Sequence, residues 1–386
     1  MARKGILDKV GKPRTGLILS GGGSRAAYQV GVLRAVANIL PKNQANPFAV
    51  ISGTSAGALN AAALASHAWR FGTAVRSLEV IWKNLHSEQV YDPQSANLLG
   101  SASNALLSLL GSNRNEGKPV ALFDNTPLRR LLSRVIRFER IQHNIDVGLL
   151  DAISVTASAY DTGQSYSFYQ AMQGRKDWTG PHRIGMRTRL QLNHLMASSA
   201  IPLIFQAVQI GKQYFGDGAI RQLAPANTTL QLGAHRLLAI GVSGNRSGVS
   251  LEESMAEPPG LLQVFGHILN SAFVDHLEND LEFLRHMNAV LPLVPEQARQ
   301  QTGRIMHEVE MLEISPSKAI NKLALEHYEE LPKPLSRYIK PEGSGTLLSL
   351  ILYEKGFCRE LMQLGFDDAM AKEAEIRLFF DDHTGS

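Results

Sequence analysis

Ser55 stands between two glycines in Gly53-Thr54-Ser55-Ala56-Gly57, and the chain changes character on either side of it. Phe48 to Ile51 is a short apolar run suited to a buried parallel strand, and Ala56 to Ala68 is a helix pattern of small residues and leucines. A serine at a sharp strand-to-helix turn presents its hydroxyl above the helix N-terminus, where the dipole favours developing negative charge. Glycines two before and two after it let strand and helix pass without a Cβ clash. The chemistry this suits is attack of a hydroxyl on an acyl carbonyl. The competing reading is a small residue in a tight packing turn, and the choice depends on whether an anion trap and a base accompany the serine.

The glycine turn Gly21-Gly22-Gly23-Ser24-Arg25 supplies a trap. It follows a strand candidate, Gly16 to Ser20, and precedes a helical pattern from Ser24 to Leu40 with Val30, Leu33, Val36, Ala37 and Leu40 near helical spacing. Three glycines leave backbone N–H groups bare, as an oxyanion hole requires. Gly21, Gly23 and Ala26 also fit a dinucleotide fingerprint, but that site needs an acid about 20 residues on to hold the ribose. Between Asp8 and Glu79 the chain has no acidic residue. No GK[ST] follows either, which excludes a phosphate-binding P-loop.

For the base, an ordinary triad would place an acid and a histidine downstream of the serine. None of the twelve histidines falls in a turn after a late strand; His194 and His235 come closest and read as structural or surface residues. The acids are more informative. Residues 1–249 hold only 12, and one of them, Asp217, is clasped in Gly216-Asp217-Gly218 after an apolar hairpin run from Ala207 to Phe215. The pattern is that of a serine hydrolase.

The order of GGGxR, GxSxG and Asp-Gly, with Met196 to Gln206 (MASSAIPLIFQ) shortly before the aspartate, resembles the patatin-like phospholipase family, its bacterial members in particular, over about residues 14–245. The resemblance implies a three-layer α/β/α fold with a mostly parallel central sheet and a Ser-Asp dyad without histidine. By position, Ser55 becomes the nucleophile and Asp217 the base. Gly21, Gly22, Gly23 and Ser24 become the oxyanion hole, Arg25 the basic residue after the glycines, and Gly53 and Gly57 the elbow glycines. Ala26 and Ala219 stand where many relatives carry glycine, changes of one methyl each. The activity implied is hydrolysis of carboxylic esters of phospholipid or lysophospholipid through an acyl-enzyme, with a thioesterase, a short-chain carboxylesterase or a non-catalytic lipid-binding scaffold as alternatives. No metal or cofactor is expected: HExxH, EF-hand loops and cysteine pairs are absent from the sequence.

At 386 residues, 44% hydrophobic and 19% charged, the composition is globular. Residues 1–249 carry 27 Lys and Arg against 12 acids and residues 250–386 carry 12 against 23. The basic part is suited to peripheral contact with an anionic membrane surface, or the two parts neutralise each other where they pack. Nucleic acid is not an expected partner, since no helix-turn-helix or zinc pattern accompanies the arginines. The first residues lack an apolar leader core and no run of 18 apolar residues occurs, so a cytoplasmic location is expected. Cys358 reads as a buried small hydrophobe.

Four further expectations concern organisation. Thr126 to Arg140 reads as one helix with Arg130, Arg134 and Arg137 on a single face. Asn97 to Leu110 has the interrupted apolar pattern of a cover over a lipid cleft. Residues 1–249 form a catalytic domain and residues 250–386 an acidic, helix-rich extension packed on it. Within that extension, Pro258 to Leu291, Ser344 to Leu364 and Asp367 to Phe379 read as helices and His307 to Ile314 as a strand.

Overall fold

The computed structural model describes residues 14–95, 121–222, 224–243, 261–301 and 307–381; the cover expected at Asn97 to Leu110 lies outside the described residues. In chain order, β1 (Thr15–Leu19) leads through the glycine turn and one 3-10 turn, Gly23–Ala26, into α1 (Ala27–Ile39). β2 (Val50–Thr54) runs into α2 (Ala56–Ser66), followed by α3 (Phe71–Lys83), α4 (Thr126–Val135) and α5 (Phe138–Asp146). Then come β3 (Ala152–Ala159), β4 (Ser165–Ala171), β5 (Trp178–Gly180), β6 (Arg183–Arg187), α6 (Leu192–Ser198), β7 (Val208–Ile210) and β8 (Gln213–Asp217). α7 (Pro225–Gln231), β9 (Arg236–Ile240), α8 (Leu261–Val290), β10 (Glu310–Ile314), α9 (Ile320–Glu326), α10 (Gly345–Ile351), α11 (Lys355–Ala371) and α12 (Glu373–Phe380) complete the principal elements.

One sheet organises them, in the order β10-β9-β1-β2-β3-β4-β6-β5. The first five of these strands are mutually parallel. Helices cover both faces, so each central strand is apolar in both directions. Leu17, Leu19, Ile51 and Leu238 enter the larger core with α1, α2 and α11, whereas Ile18, Val50 and Leu237 enter the smaller core with α7 and α8. This is the three-layer α/β/α arrangement expected from the sequence.

β2 and β8 meet end to end because β3 is longer than β2. β2 pairs with β3 as far as Thr54 opposite Thr156. The same edge of β3 is then taken over by β8 running the other way, with Asp217 opposite Ala157. The end of β2 and the end of β8 therefore abut, and whatever follows Thr54 faces Asp217.

Residues 250–386 contribute to this frame as well as covering it. β10 extends the sheet beside β9 with Glu310 opposite Arg236, as the strand expected at His307 to Ile314. α11 lies along α1 at a crossing only two glycines permit. A Cβ on Gly31 would lie 2.0 Å from the Met362 carbonyl oxygen, and one on Gly365 2.2 Å from that of Tyr28.

Three expected helices are broken, the one at Asp367 to Phe379 by the turn at Lys372 that separates α11 from α12. Thr126 to Arg140 divides at Ile136, whose extended backbone (φ −97°, ψ 125°) turns a buried side chain inward. Successive β-branched residues, Val135 and Ile136, weaken the helix there, and burial decides the break. Arg130 and Arg134 thus share α4, while Arg137 sits in the turn before α5. Ser344 to Leu364 likewise divides after Ile351. The break seats Tyr353 against Trp82 and Tyr91 and lets Glu354 accept hydrogen bonds from the His86 ring and the Ser87 amide.

Candidate active site

Ser55 occupies the junction of β2 and α2 with φ 53° and ψ −130°, a left-handed backbone that a non-glycine residue adopts only when its surroundings enforce it. Three features enforce it. A Cβ on Gly57 would lie 2.3 Å from the Leu19 carbonyl oxygen and 2.5 Å from that of Ser20, so α2 packs directly on the end of β1. A Cβ on Gly53 would lie 2.6 Å from the Gly57 carbonyl oxygen. The Ser55 N–H donates to Ser198 Oγ at 2.9 Å, and that hydroxyl donates to the Thr156 carbonyl at 2.6 Å.

The Ser55 hydroxyl donates to Asp217 Oδ2 at 2.5 Å. Asp217 is fully buried; its Oδ1 accepts the Ala219 N–H at 2.9 Å and its own N–H donates to the Ala200 carbonyl at 2.8 Å. Burial pushes the Asp217 carboxyl up to about 7, against the opposing pull of the Ser55 hydroxyl and the Ala219 amide. A carboxylate so placed is matched to accept a proton near neutrality, which an ordinary aspartate is not.

The glycine turn starts beside this junction, because Leu19 of β1 pairs with Gly53 of β2. Gly23 has φ +56° and leaves no room for a side chain, since a Cβ would lie 2.0 Å from the Leu350 carbonyl oxygen. Gln29 donates to the Ser20 carbonyl at 2.8 Å, and Asn60 of α2 donates to the Ala26 carbonyl at 3.1 Å, so turn and elbow are fixed to one another. Ser24 and Arg25 direct their side chains to the tail: Ser24 Oγ donates to the Ser349 carbonyl at 2.9 Å and Arg25 Nε to Ser349 Oγ at 2.9 Å. The Arg25 guanidinium also donates to Asn270 Oδ1 at 3.1 Å.

Three supporting residues escaped sequence reasoning. Ser198 and Ala200 lie in the MASSAIPLIFQ stretch, where the Ser198 hydroxyl accepts the Ser55 N–H and the Ala200 carbonyl accepts the Asp217 N–H. Gln222 bonds Thr54 and donates to Thr156 Oγ1 at 3.1 Å beneath them. Their partners are distant in sequence: the MASSAIPLIFQ stretch was legible as a motif, but the contacts its Ser198 and Ala200 make were not.

The histidines bond elsewhere. His194 Nδ1 accepts the Gln191 N–H at 3.0 Å with its ring on Phe168, and burial lowers its pKa. His235 Nδ1 accepts the Arg14 N–H at 3.2 Å, and His276 Nδ1 lies 3.2 Å from the Ala219 carbonyl. Among the described residues no group of three or more His, Cys, Asp and Glu side chains could hold a metal.

A cavity of about 50 Å³ reaches Ser55. Its wall is almost wholly apolar, with Leu59 and Trp82 on one side, Leu132 and Ile136 from α4 and the break after it, and Phe205 and Tyr353. A carbonyl at Ser55 would carry its hydrocarbon substituent into this slot.

No curated protein sequence matches the chain. Among solved structures it is similar to VipD from Legionella pneumophila, with 13% identity and a TM-score of 0.40 over 95% of this chain and 69% of that one. It is also similar to human GIVD cytosolic phospholipase A2 in complex with methyl gamma-linolenyl fluorophosphonate, with 14% identity and a TM-score of 0.43 over 95% of this chain and 59% of that one. A third is the ExoU–SpcU complex of Pseudomonas aeruginosa, with 18% identity and a TM-score of 0.28 over 70% of this chain and 52% of that one. The chain thus spans about three fifths of the human enzyme's length. The family model described as Patatin-like phospholipase matches residues 17–230, a span that holds the glycine turn, the serine elbow and Asp217 and exceeds half the chain, so the protein belongs to the patatin-like phospholipase family.

Proposed function

We propose that this protein is a lipid acyl hydrolase that cleaves carboxylic esters of phospholipid or lysophospholipid through Ser55 and Asp217. The observation that carries the reading is the 2.5 Å bond from the Ser55 hydroxyl to a fully buried Asp217 carboxylate at the end of an apolar slot. Ser55 Oγ attacks the ester carbonyl as its proton passes to Asp217 Oδ2. The amides of Gly21 to Ser24 receive the oxyanion. Collapse of the tetrahedral intermediate breaks the bond to the alcohol, which leaves with the proton from Asp217, and Ser55 is left acylated. Water repeats the sequence, losing a proton to Asp217 and releasing the fatty acid. The apolar lining of the slot suits the hydrocarbon part of an acyl group.

Residues 1–249 act as the catalytic domain and residues 250–386 as its extension. Substrate is met at an anionic lipid surface from the cytoplasmic side, with the exposed Arg130, Arg134 and Arg137 as its electrostatic contacts. Among the described residues no helix is long and apolar enough to cross a membrane.

Covalent labelling tests the nucleophile. Incubation with a long-chain alkyl fluorophosphonate is expected to add one phosphonyl group to the peptide containing Ser55, and the Ser55→Ala protein is expected to stay unlabelled. A label on another residue, or none on the folded wild type, would overturn the assignment.

A further inference from the structure

The slot that reaches Ser55 is lined by polar side-chain atoms at Ser55, Asn60, Trp82, Ser199 and Tyr353, and elsewhere by apolar side chains. All but the last of these have partners inside the protein. The Ser55 hydroxyl donates to Asp217 Oδ2, Asn60 Nδ2 to the Ala26 carbonyl at 3.1 Å and to Gln29 Oε1 at 3.0 Å, and Trp82 Nε1 to Asn60 Oδ1 at 2.9 Å. Ser199 Oγ donates to the Leu195 carbonyl at 2.8 Å. The Tyr353 hydroxyl makes no hydrogen bond to any of the described residues, although the residue is only 7% exposed.

The phenol is held in this position. Its ring stacks on Trp82 with centroids 6.3 Å apart and meets Tyr91 edge-on at 6.3 Å, while Tyr91 directs its own hydroxyl to the Ile351 carbonyl at 2.9 Å. A phenylalanine would fill the same space, and a buried hydroxyl without a partner is unfavourable, so the oxygen calls for a partner that enters the slot. Burial pushes the phenol far above its ordinary value, with Tyr91, Cys358 and Asp217 adding to the effect, and at neutral pH it keeps its proton and can donate. That Asp217 is among these groups puts the hydroxyl within electrostatic reach of the dyad. The cavity, about 50 Å³, has room for roughly three to five water-sized groups. An oxygen that meets Tyr353 therefore belongs to the first few carbons of whatever occupies the slot.

We propose that Tyr353 is a specificity-determining residue that selects acyl groups bearing a hydroxyl within the first few carbons from the ester, by donating a hydrogen bond to that oxygen. The inference rests on the reading that the slot at Ser55 takes the acyl group, and it names the acyl class. A plain hydrocarbon in the slot leaves the phenol unpaired and is discriminated against for that reason.

The test uses uncharged, uncleaved analogues of the acyl group, N-methyl octanamide and its derivatives with one hydroxyl on each carbon from the second to the fifth. Binding is measured by calorimetry on the full chain, as wild type and as Tyr353→Phe, which keeps the ring and removes the oxygen. One hydroxy isomer is expected to bind the wild type about tenfold or more tighter than the plain amide, and Tyr353→Phe to bind the whole set within about threefold. A wild type that prefers no hydroxy isomer would overturn the proposal whatever the variant does, and so would the same preference in Tyr353→Phe. Because the amides report binding rather than turnover, a flat ranking counts against Tyr353 alone, and failure of fluorophosphonate labelling at Ser55 counts against the nucleophile alone.

Discussion

Asp217 and Arg25 are both buried charges close to the C-terminal ends of the central strands, but their surroundings leave them opposite options. The Asp217 carboxyl can answer burial by taking up a proton, and its pKa rises to about 7. The Arg25 guanidinium, at about 10, cannot shed its charge at neutral pH. Burial thus brings the titration of the first group to neutral pH and leaves the second charged throughout that range. The cavity beside Ser55 is apolar, whereas the one beside Arg25 is mixed, with Ser243, Asn270 and Thr346 next to Ile320 and Leu325.

The largest disruption of this comparison should come from the junction between the two sites. Gly57→Val would drive side-chain atoms into the Leu19 and Ser20 carbonyls and is expected to cost about 3 kcal/mol or more, lowering the melting temperature and removing activity. Gly72→Ala is the control: nothing lies within 4 Å of a Cβ there, and near the start of α3 the change should be neutral or stabilise by up to about 1 kcal/mol in denaturant titration.

Sharpening the Asp217 side alone, Ser198→Ala removes the hydroxyl that accepts the Ser55 N–H and donates to Thr156. Steady-state kinetics should show kcat reduced about tenfold with KM little changed, and unfolding a loss of about 1–3 kcal/mol. Equal loss of stability with unchanged kcat would make Ser198 a packing residue only.

A further prediction separates the two charges by pH. The folded-state pKa of Asp217, about 7, lies above the ordinary 3.8, so the folded protein holds this proton more tightly than the unfolded chain. That contribution is complete below about pH 4 and is lost as pH rises through 7. The slope of stability against pH over this window should flatten in Asp217→Asn. It should be unaffected by Arg25→Gln, because the arginine keeps its proton throughout.

How much of this was legible in the sequence depends on whether the constraint is local. Gly53, Ser55 and Gly57 announce the elbow because their clashes lie within one turn and the adjoining strand end, and Gly216 to Gly218 marks a carboxylate in a bare turn. Ser198 and Ala200 stood out only as part of the MASSAIPLIFQ stretch, and Gln222 not at all, because the atoms they bond lie on or beside β2, β3 and β8. The breaks at Ile136 and after Ile351 were hidden for the same reason, since each is set by what its buried side chain meets across the fold. Arg25 was legible as a basic residue after the glycines, but its direction, toward Ser349 and Asn270, depends on α10 and α8.

The central claim, that Asp217 is the base for Ser55, is tested most directly by fatty-acid release from phospholipid vesicles. Wild type, Ser55→Ala and Asp217→Asn are compared between about pH 5 and 9 with folding verified. Wild-type kcat/KM is expected to rise through about pH 7 to a plateau, and both variants to fall by about 10³-fold or more at every pH. Turnover by Asp217→Asn close to the wild-type rate would contradict the account and send the search for a base elsewhere in the fold.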